Sequence, residues 1–130
     1  MTKNLTGSAT FTSWDEVPGY DSGAPVPRVA RATVEFRYEG DIEGTSTCEY
    51  AMYYATGNQG SGVGIEYLRA TVGGEEGTLA LRNEAAFDGA VDVAWTVVPG
   101  SGTGAFAGFD GSGGYRAEPH STRWTWRLEG

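Results

Sequence analysis

The sequence predicts an all-β protein: a single closed antiparallel up-and-down barrel of eight strands. Three observations predict it. Apolar and polar residues alternate with a period of two along most of the chain, turn signals recur between the alternating runs, and no segment carries helical spacing. Closing such a meander into a barrel removes both exposed sheet edges.

The clearest strand is 28–39, where Ala30, Ala32, Val34, Phe36 and Tyr38 alternate with Arg31, Thr33, Glu35, Arg37 and Glu39. Segment 78–87 sets Leu79, Leu81, Asn83, Ala85 and Phe87 on one face, and 91–98 does the same with Val91, Val93, Trp95 and Val97. Near the C-terminus Trp124, Trp126 and Leu128 oppose Arg123, Thr125, Arg127 and Glu129. Less regular strands are expected at 4–14, 42–56, 62–73 and 102–117, the last broken or bulged by its glycines. Gly40–Asp41, TGNQGSG (56–62), GGEEG (73–77), Asp88–Gly89 and Glu118–Pro119–His120 mark the turns. The whole of 1–130 reads as one domain. Its one long connection, 15–27, contains Pro18, Pro25 and Pro27 and is either a mobile loop or a lid over the barrel mouth.

The 21 glycines are interleaved with four Trp, seven Tyr and five Phe, an aromatic load that disordered Gly-rich segments lack. A formal net charge of −8 with scattered basic residues argues against nucleic acid as a partner. No apolar run approaches the roughly 18 residues of a membrane helix, and the N-terminus lacks a signal-like segment. The expectation is a cytoplasmic protein with no membrane partner, in which the Asn4–Leu5–Thr6 sequon is not glycosylated. A single cysteine, Cys48, cannot form an internal disulfide and is compatible with a reducing compartment.

An eight-stranded barrel is just wide enough to be filled by side chains or to hold one small ligand, so its inward residues are its candidate functional residues. The hairpin of strands three and four adds to them. A turn centred near residue 59 pairs Glu49 with Arg69, Tyr50 with Leu68 and Met52 with Glu66. One face then carries Cys48, Tyr50, Met52, Tyr54, Leu68, Ala70 and Glu66, while Glu49 and Arg69 form a solvated cross-strand ion pair. Glu66 points into the lumen on this reading. Among aromatic groups its pKa is expected to rise through desolvation, which suits proton transfer near neutrality. A structural carboxylate, hydrogen-bonded to a tyrosine or reaching solvent at the rim, is the alternative.

Other chemistries lack support. One histidine, one cysteine and no HxH or CxxC spacing predict no metal site, and Asp110–Gly111–Ser112–Gly113 lacks the acidic ligands of a calcium loop. Cys48 reads as a buried thiol, and His120 as a solvated turn residue. The glycine run at 100–104 opens no helix, so it is not a phosphate loop. A glycosidase pair of Glu49 and Glu66 would need a slipped register.

Four segments carry a family resemblance: SWDE (13–16), GDIEGTSTCEY (40–50), GIEYL (64–68) and VVPGSGTGAFAGFDGSGGY (97–115). With their spacing they resemble a bacterial family of unknown function, number 3224, over nearly the whole chain. That family in turn resembles the allene oxide cyclase barrels, which close a ring in a fatty-acid epoxide without a cofactor. The resemblance leads one to expect a histidine near position 83 and an aliphatic residue near position 51, where this chain has Asn83 and Ala51.

The resulting expectation is a cofactor-independent cyclase or isomerase of a small hydrophobic, polyketide- or fatty-acid-derived metabolite. Glu66 would move charge or a proton, and Tyr50 and Asn83 would orient oxygens. Phe36, Tyr38, Met52, Tyr54, Leu68, Leu81, Trp95, Trp124 and Trp126 would line the ligand site. The alternative is a lipocalin-like barrel that binds an apolar ligand without catalysis. The oligomeric state is open, a homo-oligomer included.

Overall fold

The computed structural model describes residues 3–19 and 23–130. Among them nine strands and no helix occur: β1 (Asn4–Val17), β2 (Arg28–Gly40), β3 (Glu43–Tyr54), β4 (Gln59–Val72), β5 (Glu75–Asp88), β6 (Ala90–Val97), β7 (Thr103–Gly104), β8 (Ser112–Ala117) and β9 (Trp124–Glu129). Eight of them are staves. Consecutive staves pair antiparallel, and β1 pairs with both β2 and β9, which closes the barrel. The two-residue β7 adds only a short pairing on β5.

Alternation makes the core. Ala30, Ala32, Val34, Phe36 and Tyr38 of β2 are all buried, as are Leu79, Leu81 and Asn83 of β5 and Trp124, Trp126 and Leu128 of β9. Their neighbours along each strand face solvent, as a period of two requires.

Three local expectations are corrected. The β3–β4 turn is tighter and earlier than expected, with the backbone N–H groups of Ala55 and Thr56 both donating to the Gln59 carbonyl. Each β3 residue therefore meets a β4 partner four positions earlier: Cys48 faces Glu66, Tyr50 faces Gly64 and Met52 faces Gly62. Glu49 and Arg69 do not pair. Glu49 lies beside Ile65 and accepts hydrogen bonds from the Thr33 hydroxyl, while the Arg69 guanidinium lies over the Tyr67 ring. Because four is even, every side chain keeps its face, so Glu66 points inward and Glu49 outward.

Second, segment 102–117 is not one stave. After β7 the chain turns through 105–108, and Phe106 and Phe109 join the core from this connection, at the end of the barrel opposite the β3–β4 turn. Third, β1 continues to Val17, so the loop expected at 15–27 begins at Pro18. Residues 20–22 of that loop lie outside the described residues, and with them the lid reading.

The extension of β1 contains a bulge. Phe11 pairs with Phe36 but Ser13 with Glu35, leaving Thr12 without a partner position. One extra residue reverses the alternation. Phe11 lies on the inner side before the bulge, and Trp14 and Glu16 lie on it afterwards, opposite Val34 and Ala32.

Bulky and minimal residues are matched across β3 and β4. Gly64 faces Tyr50, and a Cβ built on it would lie 1.8 Å from the Glu49 carbonyl oxygen. A backbone atom cannot yield as a side-chain tip can. Gly64→Ala is expected to lower stability in urea unfolding by about 1–3 kcal/mol or more. A change within a few tenths of a kcal/mol would show that the two strands approach less closely.

Candidate functional site: a sealed carboxylate beneath an aromatic mouth

The candidate residues separate into two layers. The inner layer is built on Glu66, which is fully buried. Its Oε2 accepts hydrogen bonds from the Tyr38 hydroxyl and from Ser46 Oγ, the latter at 2.6 Å. Its Oε1 accepts from Asn83 Nδ2 at 3.0 Å and Trp95 Nε1 at 3.2 Å. Four donors from β2, β3, β5 and β6 thus converge on one β4 side chain. They fill the acceptor positions of a carboxylate, and none of them is a cation. The Asn83 amide is oriented by this contact, and its buried Oδ1 has no partner among the described residues.

The outer layer is a cavity of about 450 Å³ at the end formed by the β3–β4, β5–β6 and β8–β9 turns. Phe36, Tyr50, Met52, Tyr54 and Trp124 line it, joined by Phe11, Trp14, Phe87 and Tyr115. Trp124 stacks between Phe11 and Tyr115, at centroid separations of 6.4 and 5.1 Å. Phe11 and Trp14 are about half exposed, as large aromatics at an open rim are. Beside the rim, Glu16 receives the Tyr54 hydroxyl at 2.7 Å and Trp14 Nε1 at 3.0 Å, with Arg28 at 3.9 Å.

Of the residues expected to form one site, Glu66, Asn83, Tyr38, Trp95, Leu68, Leu81 and Trp126 do not line this cavity. They are packed beneath it. Sequence reasoning missed Ser46, although it shares the inward parity of Cys48 and Tyr50. It also missed Tyr115, which lies in the segment taken for one broken strand, and Trp14 and Glu16, which the Thr12 bulge turns inward. His120 is exposed in its turn with φ +64° and contributes to the rim. Among the described residues no group of three or more His, Cys, Asp or Glu is placed to hold a metal.

Burial sets the electrostatics of both layers. It pushes the Tyr38 hydroxyl and the Cys48 thiol far up, and the negative charge of Glu66 adds to the rise in each. Tyr50 and Tyr115 are raised by burial first, with Tyr50 also feeling Tyr115 and both feeling Glu66. These phenols are therefore neutral hydrogen-bonding groups and not bases.

A model of the family described as "Protein of unknown function (DUF3224)" matches residues 5–128. Among solved structures, the chain is similar to a protein with unknown function from the DUF3224 family of Shewanella oneidensis MR-1. The two share 18% identity with a TM-score of 0.77, over 99% of this chain and 96% of the other. No curated protein matches.

Two outcomes are expected. Glu66→Ala strands four buried donors, each worth about 1–3 kcal/mol when unsatisfied, and is expected to lose at least ~4 kcal/mol or fail to fold. Glu66→Gln, which keeps one acceptor oxygen, should lose less, and equal unfolding free energies for the two variants would contradict the donor network. The second concerns alkali. Tyr38, Tyr50 and Cys48 have folded pKa values above their unfolded ones, so the folded state holds protons that the unfolded state releases. Their contribution is complete below the unfolded pKa values and is lost as pH rises beyond them. Stability should fall above about pH 10 by about 1.4 kcal/mol per pH unit for each group. Ultraviolet titration should show Tyr38 and Tyr50 ionising only as the barrel unfolds.

Proposed function

We propose that this chain, which belongs to the DUF3224 family, is a receptor for a small apolar molecule held in the mouth cavity of its barrel. The observation that carries this reading is the cavity itself, about 450 Å³, rich in aromatic rings and lying above a sealed polar layer. Its volume falls in the range of small-molecule pockets, and a few polar atoms on an apolar wall are the usual composition of such sites. The sealed layer gives the ligand a floor. A neutral phenol from Tyr50 and another from Tyr115 supply the hydrogen bonds that orient it.

A second reading uses the same cavity for cofactor-independent cyclisation or isomerisation, by holding a substrate in a reactive conformer and excluding water. The Tyr50 and Tyr115 hydroxyls favour it, and the allene oxide cyclase-like relation belongs with it as fold analogy. In that case Tyr50→Phe would abolish turnover while leaving binding largely intact. No described helix is long and apolar enough to cross a membrane. The buried thiol of Cys48 fits a cytoplasmic setting, which we include in the proposal.

The uncharged fluorescent probe N-phenyl-1-naphthylamine tests the receptor reading. It is expected to bind one per chain with a blue shift. Ala117→Trp, which fills the cavity from its partly exposed wall at the end of β8, should abolish the signal. Undiminished binding by the folded variant would place the site elsewhere.

A further inference from the structure

We propose that the mouth cavity selects apolar organic cations, such as aromatic or alkylated ammonium compounds, over neutral and anionic molecules of the same shape. This rests on the receptor reading above and adds the chemical class of the ligand. Eight aromatics among the described residues line the cavity: Phe11, Trp14, Phe36, Tyr50, Tyr54, Phe87, Tyr115 and Trp124. The faces of such rings carry negative potential and attract ammonium groups, most strongly where water is excluded.

The protein already makes this contact once at the rim. The Arg28 guanidinium lies over the Tyr54 ring, 4.3 Å from its centroid. Its charge is answered by Glu16, which leaves no net charge from that pair at the entrance.

Ionised groups around the cavity have one net sign. No Lys or Arg is among its described lining residues. Arg116 behind the wall is committed to both Asp92 and Glu118, each at 2.8 Å, two acids to one base. Beneath the floor, Glu66 is held by neutral donors alone. A charge answered only by dipoles in a low-dielectric interior projects its field further than a paired one. A carboxylate-bearing ligand would enter against that field, and Arg28 at the rim is already paired with Glu16. The cavity's 450 Å³ is the volume of roughly fifteen waters at about 30 Å³ each, enough for a bicyclic aromatic body and its ammonium head.

Three probes of closely matched shape make the test: (1-naphthylmethyl)trimethylammonium, its carbon isostere 1-neopentylnaphthalene, and the anion 1-naphthylmethanesulfonate, each titrated by NMR at pH 8. The cation is expected to bind about three- to thirtyfold more tightly than the isostere, and about tenfold or more tightly than the anion. Trp14→Leu, at the open rim, should weaken the cation at least about threefold and the isostere less. Glu66→Gln, if it folds, should narrow the gap between cation and isostere. Equal or tighter binding of the isostere or the anion would overturn the inference and leave the receptor reading standing. Binding of none of the three would overturn both.

Discussion

The structure is organised around one buried carboxylate that has no counter-ion among the described residues. Four neutral donors on four strands converge on Glu66, so the cost of removing its charge from water is offset only when those strands stand in one register. A slip by one residue would send Glu66 to solvent and leave Tyr38, Ser46, Asn83 and Trp95 without their acceptor. An apolar side chain at position 66 would tolerate such slips far better. The network therefore specifies the barrel as much as it stabilises it.

The same cluster divides the lumen. Below it, Leu79, Leu81, Val97 and Leu128 pack with Phe106, which enters from the connection around β7. Above it, Gly62 and Gly64 stand opposite Met52 and Tyr50, and aromatic rings line the open end. The cavity exists because the polar layer takes up the interior hydrogen-bonding groups and leaves an apolar basin over them.

Much of this was legible in the sequence because parity is robust. The hairpin register expected from the sequence is displaced by four residues yet still points Glu66 inward, because an even displacement leaves every face unchanged. The aromatic interior of β2, β5, β6 and β9 followed from alternation alone. Parity fails where a bulge resets it, and nothing in Phe11–Thr12–Ser13 announces the extra residue that turns Trp14 and Glu16 inward. It also fails at 102–117, where glycines and aromatics that suit a bulged strand instead build a turn and a cap. Whether an inward residue faces a cavity or is sealed depends on the packing of eight strands together, a non-local property. Candidates such as Asn83 and Trp95 were thus correctly placed inside while their separation from the ligand wall was invisible.

The central claim is a barrel plugged at Glu66 and open above it. Xenon under pressure occupies dry apolar space and avoids filled or strongly polar sites, so its position in crystals reads that division directly. The account predicts xenon in the mouth, among Phe36, Met52 and Trp124, and none beside Glu66 or below it. Xenon continuing past Glu66 through the lumen, or an empty mouth, would contradict it.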